Sequence, residues 1–402
     1  MTDTRPTIVQ IIPDLDTGGA ELSAVEIAGA ITEAGGRAIV LSRGGRLEAD
    51  LAAAGGELVR FPAATKNPAK IIGNALSISR LIKSEGAALI HARSRAPAWS
   101  ALIAARLAGV PFVTTYHGAY NEKGAVKRSY NSVMARGDLI IANSRYTADL
   151  IRARYGTPEQ RIRVIHRGVD MERFEPTAIS AERIAQLRQA WGLKEGERAV
   201  LHPARLTNWK GQSTVIAAAE LLKSQGRLES VVFILAGDAQ GRESYLEALR
   251  SQVAAAGLEH LVRLVGHVAD MPAAFAASAA ALVASTEPEA FGRTATEAQA
   301  LGIPVIATAI GAPPETVLAA PAVDAGEATG WLVAPGEPSE LADALGELLA
   351  MAPAEAVTMA ERARRRVVEQ FSLEAMKAKT LSVYDELLPT RFSEAFARRY
   401  RS

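Results

Sequence analysis

The chain has 402 residues, 49% of them apolar, with 45 Lys and Arg set against 44 Asp and Glu and no cysteine. That length holds two domains with separate cores, and the near-neutral balance gives no global basic excess of the kind that binds nucleic acid. Without cysteine, disulfides and thiolate metal sites are excluded, which fits a reducing cytoplasm.

Met1 to Thr7 leads straight into a strand-like run and lacks the apolar core of a signal peptide, so none is expected. Short β-branched runs then alternate with helical patterns, which predicts an α/β fold with parallel sheets. Strands are expected at Thr7–Ile12, Ala38–Ser42, Leu58–Phe61, Ala88–His91, Phe112–Tyr116, Leu139–Ala142 and Arg163–Ile165. Between the first two, Leu22, Val25, Ile27, Ala28 and Ile31 form a helix-period stripe over Glu21–Ala34, with Thr17 as its expected cap. The strand pattern stops near Val169–Pro176, which places a domain junction there. A helical stretch follows over Ser180–Trp191. A second series runs through Ala199–His202, Val231–Ala236, Val262–Val265, Ala281–Val283, Pro304–Ala307 and Gly330–Val333, and helices from Ser339 to Leu388 finish it. The expected domains are 1–176, 177–371 and a C-terminal helix with a basic tail at 372–402. The least polar stretch, Met271–Ser285, is too short to span a bilayer.

One stretch organises the chemistry: Glu287-Pro288-Glu289-Ala290-Phe291-Gly292-Arg293-Thr294-Ala295-Thr296-Glu297. A helix opening at Gly292 puts Glu289 just outside its N-terminus and Glu297 about one turn in, with free N–H groups between them. Two carboxylates flanking an amide nest suit a ligand with hydroxyls at both ends and phosphates between, the layout of a nucleotide sugar. The plainer reading is a solvated helix start that favours acids. Elsewhere, Gly18-Gly19 sits at the first strand-to-helix turn, where a backbone can approach a ligand, but without the Gly-x-Gly-x-x-Gly of dinucleotide folds. Asp14-x-Asp16 just before it is read as coincidence rather than a metal site. His117 and Gly118 close the strand Phe112–Tyr116, at the end where open sheets hold ligands. His202-Pro203-Ala204-Arg205-Leu206-Thr207-Asn208-Trp209-Lys210-Gly211 offers a guanidinium fork and an ammonium suited to a diphosphate.

Together these segments resemble the retaining GT-B glycosyltransferases of the large family 4 (group 1) type. Their Glu-x7-Glu signature matches Glu289 and Glu297, and their Arg-Leu-x-x-x-Lys-Gly segment matches Arg205–Gly211. The resemblance covers about Thr7 to Leu388. It implies two doubly wound Rossmann-like domains facing across a cleft, with a C-terminal helix crossing back to the first. It further implies a nucleoside-diphosphate sugar as donor, no cofactor, no metal, and retention at the anomeric carbon. By resemblance Glu289, His117, Arg205 and Lys210 are catalytic: Glu289 and His117 meet the donor sugar, and Arg205 and Lys210 hold the diphosphate. Glu297 would take the ribose. Gly18, Gly19, Phe291, Gly292, Arg293, Thr294, Asp238, His267 and Val268 would border the donor. Arg167 departs from the family's more usual Asn.

Between Asn121 and Gly168 ten basic residues (Lys123, Lys127, Arg128, Arg136, Arg145, Arg152, Arg154, Arg161, Arg163, Arg167) meet four acids. Solvated helix faces are the plain reading; a surface for anionic lipid or a phosphorylated acceptor is the sharper one. With Phe291-Gly292-Arg293 and Met271-Pro272-Ala273-Ala274, this region looks most like bacterial enzymes of lipopolysaccharide core or surface-glycan synthesis. The acceptor would be a glycan or lipid-linked saccharide at the inner face of the cytoplasmic membrane. The rivals are a sugar-nucleotide epimerase on the same fold, a non-catalytic glycan- or nucleotide-binding protein, and an NAD-dependent oxidoreductase that the missing glycine fingerprint disfavours.

Overall fold

The computed structural model describes residues 5–16, 18–118, 120 and 124–399. It divides into one unit of Met1–Gly168 with Glu374–Ser402, and a second of Val169–Leu373. The chain therefore returns to the first unit at its C-terminal end. The junction lies before Val169, eight residues ahead of the expected 176. The reason is packing: Val169 and Phe174 are buried in the core of the second unit, and Val169 bridges to Ser372.

In the first unit the strands are β1 (Thr7–Ile11), β2 (Arg37–Ser42), β3 (Glu57–Arg60), β4 (Ala87–Ala92), β5 (Phe112–Tyr116), β6 (Leu139–Ala142) and β7 (Ile162–Val164). They form one parallel sheet in the order β3-β2-β1-β4-β5-β6-β7. Ile11 of β1 pairs with Leu41 of β2 on one side and Ala92 of β4 on the other. The second unit holds β8 (Arg198–Pro203), β9 (Val231–Ala236), β10 (Val262–Gly266), β11 (Ser278–Val283), β12 (Val305–Thr308) and β13 (Trp331–Val333). Their order is β10-β9-β8-β11-β12-β13. Both sheets are doubly wound, the α/β class expected.

The strands read as unbroken apolar runs because both faces of each sheet are covered. In β9, Val231, Phe233 and Leu235 enter one core, while Val232, Ile234 and Ala236 enter the other. The strand order reverses between β1 and β4, and again between β8 and β11. At such a point the loops leaving neighbouring strands part in opposite directions and open a crevice at the carboxyl ends of the strands.

Two sequence features acquire structural roles. The Met271-Pro272-Ala273-Ala274 run is a helix start (Met271–Ala276): Asp270 accepts from the Ala273 N–H at 3.2 Å, and Pro272 to Ala274 are buried. The basic middle is not a uniform cationic face. Arg136 lies over Trp99, Arg152 pairs with Asp149 and Glu159, Arg154 donates to the Tyr120 carbonyl, and Arg163 pairs with Glu386. Lys123 and Glu122 lie outside the described residues. Among the described residues no helix is long and apolar enough to cross a membrane.

Candidate active site

In the second unit the crevice lies between the ends of β8 and β11. The chain leaving β8 makes a single 3-10 turn, Asn208–Lys210, and enters a helix over Gln212–Ser224. Gly211 joins them at φ +79°, and a Cβ there would sit 1.8 Å from the Ala284 carbonyl oxygen. Only glycine lets the two strand ends come this close, which is the physical reason that Gly follows Lys in this segment. Lys210 is thereby brought to the loop after β11, where its Nζ pairs with Glu289 Oε1. Ser285 donates its hydroxyl to the same oxygen at 2.6 Å. Lys210 Nζ also lies 4.3 Å from the Trp209 ring centre. The two charged side chains are 17% and 12% exposed, so the pair is partly withdrawn from water and its attraction little screened.

Glu289 is fixed from behind as well. Its backbone bridges to Gly311, and its carbonyl accepts from the Ala312 N–H at 2.9 Å. Gly311 has φ +81°, and a Cβ there would meet Glu289 backbone atoms at 2.3 Å and 2.6 Å. Beneath the pair lies His202, buried at the end of β8, with Nδ1 3.0 Å from the Leu282 carbonyl and Nε2 3.0 Å from the Lys210 carbonyl. Burial is the main cause that pushes its pKa down to about 4, so the ring is neutral at pH 7.

Gly292 caps the helix Arg293–Ala300 from the left-handed region at φ +80°, where the sequence places the helix start. Arg293 Nε lies 3.3 Å from Glu297 Oε1 in an i,i+4 ion pair. Thr294 occupies the first turn, partly exposed. Phe291 differs from expectation: its side chain is 4% exposed and packs edge-on against Phe371, so only its backbone is available to a ligand. Arg205 is exposed and has no partner among the described residues. Asp238, after β9, accepts from the Gln240 N–H at 3.2 Å and is exposed. His267 and Val268 follow β10 and line a separate surface cavity of about 570 Å³ with Leu187 and Trp191, away from the Lys210–Glu289 pair.

The first unit gathers a different set at its own sheet end. His117 follows β5, and its Nδ1 faces the Arg167 guanidinium. Arg167 can only donate, so Nδ1 accepts and the neutral ring carries its proton on Nε2. That Nε2 is buried with no hydrogen-bond partner among the described residues. Burial first, then the charges of Arg167, Arg93 and His91, hold the His117 pKa well below the ordinary histidine value. Arg93, at the end of β4, is 2% exposed. Its Nε donates to Gln10 Oε1 at 2.5 Å, and its second terminal nitrogen has no partner. An unmet donor on a buried cation is costly, and an incoming acceptor would meet it.

Gly18 and Gly19 open the helix Gly19–Glu33. Gly18 is extended at φ 170° and neither glycine sits in the left-handed region; the nearest atom to a Cβ on Gly19 is a terminal nitrogen of Arg167 at 3.9 Å. These glycines supply space rather than an unusual backbone. Thr17 lies outside the described residues. Asp14 and Asp16 hold the loop itself: Asp14 takes both ends of the Arg43 guanidinium at 2.8 Å, and Asp16 accepts from the Arg46 N–H. Arg93, Ser285 and His202 are functional candidates that the sequence reading missed. Arg93 directly follows β4, Ser285 comes two residues after β11 and His202 is the penultimate residue of β8, and this nearness to a strand's carboxyl end is the signal that could have found them.

Two family models match the chain: Glycosyltransferase Family 4 over residues 17–173 and Glycosyl transferases group 1 over residues 183–366. A D-inositol 3-phosphate glycosyltransferase of Xylanimonas cellulosilytica is 34% identical over 221 residues, 54% of this chain and 50% of that protein. The match thus spans about half the length of this curated relative. A solved glycosyltransferase from Rickettsia africae is 31% identical with a TM-score of 0.87, covering 96% of this chain and 99% of its own. Anabaena HepE, solved with UDP and glucose, is 26% identical with a TM-score of 0.80, covering 95% of this chain and 100% of its own.

Proposed function

Because the chain belongs to the group 1 glycosyltransferases, we propose that it moves a hexose from a nucleoside-diphosphate sugar to a glycan or lipid-linked acceptor, with retention at the anomeric carbon. The observation that carries this reading is the Lys210–Glu289–Ser285 cluster at the crevice of the second sheet. Lys210 and Arg205 take the diphosphate, whose charge grows as the glycosidic bond breaks; fixed cations stabilise that change more than they stabilise the ground state. They supply the neutralising charge, so the proposed transfer is metal-independent. As Lys210 turns to phosphate, Glu289 keeps its Ser285 hydrogen bond and receives the donor-sugar hydroxyls and the positive charge developing on the ring. Glu297 accepts from the ribose diol, with Arg293 orienting it. His117 Nε2–H donates to the donor sugar, and Gly18 and Gly19 leave room beside it.

Nucleotide binding by HepE supports testing UDP first. The proposed setting is bacterial lipopolysaccharide or surface-glycan synthesis, in the cytoplasm at the inner membrane face. Thermal shifts of the wild type and Glu297→Ala with UDP, GDP, ADP, CMP and NAD test the donor site. Saturation at about 100 times the dissociation constant adds about 2.7 kcal/mol. One nucleoside diphosphate should stabilise the wild type and lose most of that effect in the variant. A shift from NAD alone would replace the reading with an oxidoreductase.

A further inference from the structure

β4 ends at Ala92, and the chain turns at Ser94 into the helix Arg95–Ala108. Among the described residues Arg95 is held in place without being neutralised. Its guanidinium donates to Asn131 Oδ1 at 2.9 Å and lies 4.0 Å over the Tyr120 ring. An amide and an aromatic face fix the plane of the fork yet carry no negative charge, so the cation is both oriented and available. It lines a cavity of about 770 Å³ together with Lys66, Lys127 and Tyr130. Lys66 and Lys127 are exposed and have no ion pair among the described residues. The Tyr130 hydroxyl is buried and has no hydrogen-bond partner among the described residues. Burial raises its pKa, so it remains an O–H donor at neutral pH. None of the cavity's described lining residues is acidic. Three cations and an unmet hydroxyl, with no carboxylate among the described lining residues, select an oxyanion over a neutral sugar.

The cavity does not stop there. Lys66, Val126 and Tyr130 also border a second hollow of about 490 Å³, floored by Ile71, Ile72 and Trp99. Val126 is 87% exposed and Ile72 51% exposed, so the basic cavity continues into apolar surface left in water. A small soluble phosphate would fill the first hollow and leave the second wet.

We infer that this face of the first unit binds an amphiphilic phosphate, its phosphate in the basic cavity and its hydrocarbon chain on the apolar groove. That this ligand is the acceptor rests on the transferase reading; that it binds does not. Decyl phosphate below its micelle concentration, glycerol 3-phosphate and the neutral decyl glucoside are titrated into the full chain by calorimetry. Decyl phosphate should bind tightest of the three. Lys127→Ala should weaken both phosphates about tenfold, the scale of one lost charge-assisted hydrogen bond, and leave decyl glucoside unchanged. Ile72→Ser should weaken both decyl compounds about fivefold and leave glycerol 3-phosphate unchanged. Both side chains are exposed, so the fold survives either change. Decyl glucoside binding as tightly as decyl phosphate, or a silent Lys127→Ala, overturns the phosphate site. Glycerol 3-phosphate binding as tightly as decyl phosphate, with Ile72→Ser silent, overturns the hydrocarbon groove and leaves a soluble phosphate as ligand. UDP thermal shifts on the same preparations report the donor site separately. Decyl phosphate binding without any nucleotide shift sinks the transferase reading and spares this site; a nucleotide shift without decyl phosphate binding sinks this site alone.

Discussion

The two sheets hold their charged side chains differently. At the crevice of the second unit both carboxylates meet cations before any ligand arrives: Lys210 lies on Glu289, and Arg293 on Glu297. At the end of the first sheet the cations also rest on neutral groups: Arg93 donates to Gln10 while feeling the Glu26 charge, the Arg167 guanidinium faces the neutral His117, and Arg95 rests on an amide and a ring. A matched site can admit a ligand that carries both hydroxyls and phosphates, by exchanging one partner for another. A guanidinium held by an amide, a ring or a neutral histidine is oriented without spending a carboxylate at that contact. The difference teaches that the two units fix their cations by different chemistry.

Removing Glu289 should break the matched site most severely. Glu289→Ala is expected to lower kcat about 10² to 10³-fold, as for a lost group that stabilises transition-state charge. Nucleotide affinity, read by thermal shift, should change less than threefold, because Arg205 and Lys210 remain. Normal transfer by this variant would contradict the assigned role.

The packing behind the two sites is also unequal, and glycine replacement reads it out. Gly211→Ala puts a methyl 1.8 Å from the Ala284 carbonyl at φ +79°, and should cost about 3 kcal/mol, at the upper end of overpacking penalties. Gly19→Ala meets nothing closer than a guanidinium nitrogen at 3.9 Å, and should leave the melting temperature within about a degree or two. Equal shifts would mean that the second crevice is not the tighter one.

Acid should weaken both units. His202 is neutral in the fold, with a pKa pushed down to about 4, and titrates near 6.5 when unfolded. Between those values the unfolded chain binds more protons, so stability is whole above pH 6.5 and falls as pH drops. For His202 the loss by pH 4 is about 3 kcal/mol. His91 and His117 act in the same direction. A His202→Gln variant should show a flatter decline, measured by denaturant titration across pH 4 to 7.

The fold was readable because its signal is local. Most strands are apolar runs, some helices start on a capping Asn or Ser such as Asn67, Ser144 and Ser180, and the thirteen strands of the described residues fall within a few residues of their expected places. The second site was readable in part for a related reason: Gly211 is demanded by a backbone contact and stands next to Lys210, which it positions, whereas Gly311 reaches Glu289 only through the fold. At the first sheet end only His117, Gly18 and Gly19 stood out in sequence. Arg93 meets Gln10 and Tyr384, the latter on the C-terminal helix Leu373–Asp385, only through the fold, and no spacing along the chain announces a buried arginine.

Arg167 sharpens the comparison with the smallest effect. It stands where the resembled family more often has Asn, and it does two things to His117: it occupies Nδ1, and its charge lowers the ring's pKa. Arg167→Asn keeps a possible donor to Nδ1 but removes the charge. Burial still opposes protonation, so the His117 pKa should rise only part of the way back. The acid limb of kcat should therefore move to higher pH, while kcat on the plateau falls less than about tenfold, about 1 kcal/mol. Arg167→Leu removes both the charge and the donor, freeing the tautomer. It should lower the plateau further than Asn does, since Nε2 no longer carries its proton in every molecule. If the two variants lower the plateau equally, the contact with Nδ1 does nothing for transfer. If neither moves the acid limb, His117 does not act through its protonation state, and the cationic end of the first sheet serves phosphate binding alone.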